Sequence, residues 1–467
     1  MLLARLLARR QKFSRRGPVL FCKAALITLC LLLSCRLSVA IDAGNYSAPT
    51  NPATVGPAGS TASATPAMMA LPANVGPLAT DAGANRKFYT LSASLREIYD
   101  DNVNTSSNGS KKASLETELS PSILVDFPTQ DSDFSARYTF DITYYTVGPN
   151  NGGGNGNGGS NGPSLQYTHE FVAQYRHAFS DRLNLNLAEQ FRKFTEPSIL
   201  QSTGTNYQSG PYVSNTLNGT VTAQWTPLFG TTTTYANTIV RYDQAAVALN
   251  QNSIENTSSQ NFSFAILPKI NVGFGGIWDD ITYDTALRGY TTYTGFIGGV
   301  WETLPSLSVS GRGGGTYIEP VQGQASIAPY AALSISWTLG ARSMLSFDYA
   351  HEVTPTDQVG GNGQTSDRFS ANFRYDITAS LSSHLQGVLT DAVISHSLTT
   401  SGTSSNNSQY DYALDTGLTY HFNRYLDFDC GIILSGVSSE NNSSGNSGNS
   451  GNDYTRDEAY LGVRGTY

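Results

Sequence analysis

Cysteine is nearly absent from this 467-residue chain: Cys22, Cys30, Cys35 and Cys430 are all there is. The first three sit within the opening 40 residues, so the remainder holds the lone Cys430 and can form no intramolecular disulfide. Long apolar runs are missing too. Residues 24–33 form one, well short of the ~20 residues a spanning helix needs, which excludes a helical membrane protein. Charge is low, at 14% of residues, and lysine beyond residue 40 is confined to Lys87, Lys111, Lys112, Lys193 and Lys269. Soluble β proteins usually guard their sheet edges with lysine, so this scarcity argues against that class. Helix-rich composition is also lacking, since Gly (45) and Tyr (26) stand against four Met and four Trp. Aromatic residues at 11% exclude disorder over most of the chain. An all-β, turn-rich protein remains.

The first 40 residues read as a signal peptide. Arg5, Arg9, Arg10, Lys12, Arg15, Arg16 and Lys23 precede the short apolar run, and Ser38-Val39-Ala40 supplies small residues for cleavage. An uncleaved anchor or a lipid-modified Cys35 are the alternatives. Removing that segment takes eight of the 28 basic residues and no acid, so twenty remain against 36 acids, a net charge of −16. A nucleic-acid partner is therefore not expected. Residues 41–86, rich in Pro, Ala, Thr, Gly and Ser without periodicity, read as a disordered periplasmic linker, or alternatively as a plug or tether.

From Lys87 onward a period of two takes over. Leu115, Thr117, Leu119, Pro121, Ile123, Val125 and Phe127 alternate with Glu116, Glu118, Ser120, Ser122, Leu124 and Asp126. After a short turn, Phe134, Ala136, Tyr138, Phe140, Ile142 and Tyr144 alternate with polar partners. Such runs exceed the ~5–6 residues of an ordinary strand and match the ~9–11 that cross a bilayer at a tilt. Short turns near 128–132, 179–182, 226–230, 268–270, 303–305, 339–342, 378–380 and 423–424 alternate with generally longer polar loops. These lie near 100–112, 148–164, 195–211, 243–258, 284–289, 318–326, 354–366, 397–408 and 438–456. Short turns on one side and long loops on the other imply a transmembrane antiparallel up-and-down β-barrel over 87–467, with about 18 strands. Lipid offers the backbone no hydrogen-bond partners, so the first and last strands must meet.

Aromatic residues beside the short turns, Phe127, Trp225, Trp301, Trp337 and Phe422, fit a periplasmic girdle. The end of the chain places Leu461, Val463 and Tyr467 on one face, with Ala459 and Gly465. This terminal-aromatic pattern resembles the signal by which the barrel-assembly machinery recognises its clients. Tyr99-Asp100-Asp101-Asn102, closing the first strand, carries a further resemblance. With the linker, the long strands and the aromatic terminus, it resembles the β-barrel porin family of Gram-negative outer membranes over residues 88–467. The resemblance implies a barrel and an outer-membrane location, with lipid and lipopolysaccharide as surroundings. Some members accompany exopolysaccharide secretion. Asp100 and Asp101 either begin a solvated loop or bind a cation.

Catalytic chemistry is hard to find. His169, His177, His351, His384, His396 and His421 are scattered over separate strands and loops, and neither a Gly-x-Ser-x-Gly elbow nor a His-Glu-x-x-His pair occurs. Adjacent Asp279 and Asp280 point to opposite strand faces and cannot act together. Residues 311–315 contain Gly-x-Gly without a following helix, so a phosphate cradle is not implied; strand glycines there permit a bend or close packing. Cys430 reads as a small apolar filler on the lipid face. No enzyme activity and no cofactor or metal is expected.

Parity assigns to the inner wall Glu116, Glu118, Asp126, Arg137, Asp141, Glu170, Arg176, Arg192, Arg241, Arg312, Asp348, Glu352, Arg368, Arg374, Asp376, Asp411, Asp415, Asp427, Asp429 and Arg464. Charges of both signs around a wet lumen favour polar solutes, and the acidic excess suggests mild cation preference; a salt-bridge network bracing the wall is the other reading. The expected function is passive diffusion of small hydrophilic solutes. A polysaccharide export or binding barrel, favoured by a Tyr-lined wall, and a non-conducting structural barrel are the alternatives. No oligomer interface is legible.

Overall fold

The computed structural model describes residues 88–467 apart from 107–109, 149–162, 195–210, 286–287, 356–360, 397–406 and 441–452. The assigned signal peptide and linker lie outside the described residues. Eighteen strands follow one another: β1 (Tyr89–Asp100), β2 (Ser114–Pro128), β3 (Ser132–Tyr145), β4 (Ser164–Ser180), β5 (Leu183–Phe194) and β6 (Tyr212–Thr226). Next come β7 (Phe229–Tyr242), a short helix α1 (Ala245–Gln251), β8 (Ser253–Leu267), β9 (Ile270–Tyr283), β10 (Gly289–Leu304), β11 (Leu307–Pro320) and β12 (Ser326–Thr338). The chain ends with β13 (Ser343–Thr354), β14 (Gly361–Asp376), β15 (Leu381–His396), β16 (Asn407–Asn423), β17 (Leu426–Glu440) and β18 (Tyr454–Thr466).

Each strand pairs antiparallel with its sequence neighbours, and β1 pairs with β18, so the sheet closes on itself as an 18-stranded barrel. At the seam, Tyr467 and Leu91 exchange backbone hydrogen bonds of 2.8 and 3.1 Å. No open edge remains in this wall, as a lipid environment requires.

The alternation read from sequence sets the two faces. In β2, Leu115, Leu119, Ile123 and Phe127 are exposed on the outside, while Ser114, Glu116 and Ser120 are buried inside. This inverts a soluble core, since the apolar side chains cover the exterior and meet lipid. The short turns are built by their own side chains. Between β2 and β3, Thr129 Oγ1 donates to the Ser132 carbonyl at 2.9 Å and accepts from the Ser132 amide at 3.0 Å.

The strands run longer than the sequence suggested at their extracellular ends. Residues 243–258 read as a loop, yet α1 and the first residues of β8 occupy that stretch. Beyond the apolar belt both faces of a strand are polar, so the hydropathy contrast vanishes while the backbone ladder continues.

Candidate functional site

The barrel interior gathers the charged residues. In every case but one, strand register carries the side chains assigned to the inner wall onto the inward face. The exception is Arg241. It shares the outer parity of Tyr235 on β7 and sits 3.6 Å from Asp284. Thr231 to Thr234 make both faces of β7 polar where a contrast should fix the parity, which is why sequence misplaced it.

Inside, Arg192 contacts Glu170 at 2.8 Å and Arg137 approaches the same carboxylate at 3.8 Å. Gln190 donates to it at 3.2 Å, and Thr168 donates to Asp141 at 2.8 Å. Arg374 meets Asp376 at 3.5 Å, while His384 and His421 meet Asp415 and Asp427 at 3.4 and 2.7 Å. The wall is thus braced by ion pairs and polar contacts within and between strands, and the arginine–carboxylate pairs partly offset the charge it shows to solvent. Glu118, whose carboxylate accepts from Ser120 at 3.0 Å, stands within electrostatic reach of Asp141, Asp429 and Arg96.

Sequence reasoning missed Arg96, although its parity opposite Leu95 was readable. Arg96 on β1 reaches Asp429 on β17 at 2.8 Å, passing over β18. The residue in register between them is Gly462, and a Cβ there would lie 2.7 Å from both side chains. Only a residue without a side chain lets the bridge span a whole strand.

The Tyr99-Asp100-Asp101-Asn102 motif neither starts a solvated loop nor forms a described metal site. Asp100 and Asn102 are fully buried. Asp100 accepts from the Asn102 amide at 2.7 Å and from Arg456 of β18 at 2.7 and 2.9 Å. Asn102 donates to the carbonyls of Ser106 and Thr455 at 2.8 and 2.9 Å. Asp101 accepts from the Asp457 amide at 2.8 Å and pairs with Lys111 at 2.6 Å. The tetrapeptide is a clasp across the β1–β18 seam. Its partners on β18 lie some 350 residues away in sequence, so no local reading could find them.

On the outer surface Phe127, Trp225, Trp301, Trp337 and Phe422 are all exposed beside the short turns, as are Leu461 and Tyr467 on the terminal strand, with Val463 on the same face. Cys430 is exposed on the outer face of β17. His351 and an acid do meet: its Nδ1 lies 2.9 Å from Asp367 Oδ1, and the Tyr349 hydroxyl donates to that same oxygen at 2.7 Å. This dyad faces outward, and the residues in register with His351 are Ala331 and Asp367, neither of them a serine.

β10 and β14, four strands apart along the wall, come into direct contact near the extracellular end. There the Tyr290 ring lies against Gly363.

No family model matches this chain, and no curated protein does. Among solved structures, Acinetobacter baumannii OccAB2 is similar at 10% identity and a TM-score of 0.44, covering 82% of this chain and 99% of that one. The outer membrane protein opdK of Pseudomonas aeruginosa gives 10% identity and a TM-score of 0.41 over 81% and 99%. The siderophore receptor PirA of Pseudomonas aeruginosa gives 9% and 0.38 over 82% and 81%. The architecture described above stands on the strand pairing itself: this chain is a closed, 18-stranded antiparallel β-barrel with an apolar exterior, the outer-membrane type.

Proposed function

We propose that this barrel lets small hydrophilic solutes cross the bacterial outer membrane by passive diffusion, with a mild preference for cations. The observation that carries the reading is the inner wall: charged side chains of both signs, richer in acids, ring a barrel whose apolar residues face outward. No reaction is involved. Size and the lumen field select solutes. In this reading residues 1–40 direct export and are removed, 41–86 form a periplasmic linker, and Leu461, Val463 and Tyr467 engage the assembly machinery. The exposed girdle rings sit against lipid of the periplasmic leaflet, and the extracellular half of the belt meets lipopolysaccharide.

Inward tyrosines motivate the polysaccharide alternative, and the wall has them. Tyr145, Tyr242, Tyr290, Tyr330 and Tyr454 are buried, so their faces do not stack on sugar rings, while Tyr212, Tyr283 and Tyr460 of the same wall are half-buried. The small share of open tyrosine surface weighs for diffusion over sugar handling.

The test is conductance of the refolded chain in a planar bilayer under a potassium chloride gradient. Stable ohmic steps with a cation-selective reversal potential are expected. Asp141→Asn with Asp376→Asn should lower the cation-to-anion permeability ratio about twofold, a few tenths of a kcal/mol for screened charges. Unchanged selectivity would remove the charge argument. Silence both with and without residues 41–86, with folding intact, would remove the channel reading.

A further inference from the structure

Between β8 and β14 the inner wall holds a second constellation that plain diffusion does not use. Glu255 on β8 and Asp279 on β9 face inward as diagonal neighbours, Asp279 being in register with Thr257 and Glu255 with Ile281, and each bears electrostatically on the other. Thr257, the registered neighbour of Asp279, donates to it at 2.8 Å, and Glu255 is the next inward residue along β8. Neither carboxylate has an ion-pair partner among the described residues. The further charge bearing on Glu255 is another acid, Glu352 of β13. All three residues are half-buried on the inward face. One guanidinium, that of Arg368, bears on Glu352.

Tyr290 completes the group. It is 1% exposed, and its hydroxyl has no hydrogen-bond partner among the described residues. The charged groups bearing on that hydroxyl are Asp279, Glu255 and Glu352. Gly363 of β14 fixes the ring, because a Cβ there would approach it to 3.0 Å. On the outer face at this level the apolar Trp278 gives way to Asp280, so the group sits at the extracellular edge of the lipid belt.

Two acidic groups this close are tolerated only with a proton or a cation between them. A buried hydroxyl without a partner is also costly. One ligand relieves both costs: a cation carrying several N–H donors. A metal ion fits poorly, since no group of three or more potential ligands among the described residues is spaced to hold one. A planar guanidinium spans wider acceptor spacings and matches paired carboxylates.

The geometry points to a recognition site for guanidinium-bearing solutes, with Glu255 and Asp279 as paired acceptors, the Tyr290 hydroxyl as a third, and Glu352 adding negative field. The site deepens the diffusion reading and rests on it for a place on the solute path, but binding is measurable without conduction. The experiment is calorimetric titration of the refolded full chain in detergent micelles with methylguanidinium, methylurea and calcium chloride. Saturable one-to-one binding of methylguanidinium alone is expected. Glu255→Gln with Asp279→Asn should weaken it by about tenfold or more, and Tyr290→Phe by about threefold, as loss of charge-assisted and neutral hydrogen bonds implies. Each variant preserves side-chain shape, and heat-modifiable migration verifies its fold. Wild-type affinity in Tyr290→Phe or in the double variant overturns the site. So does equal binding of methylurea, which would deny charge recognition, or calcium taking the site in preference. A silent barrel that still binds methylguanidinium refutes diffusion and supports the site; a conducting barrel that does not bind it refutes the site alone.

Discussion

Asp100→Ala is expected to leave most of the refolded chain unclosed. It should lose the heat-modifiable compact form on gels, and any folded fraction should unfold in urea with about 3–5 kcal/mol less stability. The reason is geometric. Asp100 is fully buried and accepts from the Arg456 guanidinium and the Asn102 amide at once. Removing it leaves the Arg456 guanidinium to Glu458, 2.8 Å away, and an amide without its acceptor, at the one junction that no covalent turn holds together. Every other strand pair here is joined by a connection of the chain, whereas β1 and β18 meet only through non-covalent contacts. Loop closure over the whole barrel must be completed at that seam, so its bonds bear on folding more than equal bonds elsewhere. Asp100→Asn keeps one acceptor oxygen and should fall between wild type and Asp100→Ala. Wild-type midpoint and migration in Asp100→Ala would show that the clasp is incidental.

The fold was legible because the membrane imposes a period. With a backbone that lipid cannot satisfy, turn positions and strand parity must repeat around the wall, and the eight expected short turns all fall at strand connections. Parity survived wherever one face was strongly apolar, as in β2 and β3. It failed at Arg241, where a run of threonines erased the contrast. It could not reach Glu255, because polar residues on both faces of early β8 read as loop. The seam clasp was illegible for another reason. Its chemistry joins residues from opposite ends of the chain, and the motif alone looks like a solvated or cation-binding turn. Arg96 lay between these cases: its inward parity was readable, but its partner across β18 was not.

Glycine explains how distant wall residues meet, and it supplies the second large effect. Phe296 on β10 and Tyr330 on β12 are registered on either side of Gly314 on β11, and their rings come to 6.0 Å over it. The Arg312 guanidinium stacks 5.0 Å above the same Phe296 ring. Tyr460 on β18 likewise approaches His384 on β15 to 3.4 Å, across the registered Gly431 and Gly417. Arg96 and Asp429 do the same over Gly462. In each case an absent side chain lets two larger ones close over a strand. A Cβ at Gly314 would overlap the Gly295 carbonyl oxygen and lie 2.8 Å from Phe296 Cα, so the backbone itself would have to shift. Gly314→Val is therefore expected to cost about 3 kcal/mol or more through overpacking, and to lower the yield of heat-modifiable barrel sharply. Gly295 is the internal control. It faces outward on the neighbouring strand, and a Cβ there meets nothing within 4 Å. Gly295→Val should fold as wild type, with a urea midpoint unchanged within error. If the two variants behave alike, crowding of the inner wall is not what fixes glycine at residue 314, and intrinsic strand preference accounts for both positions.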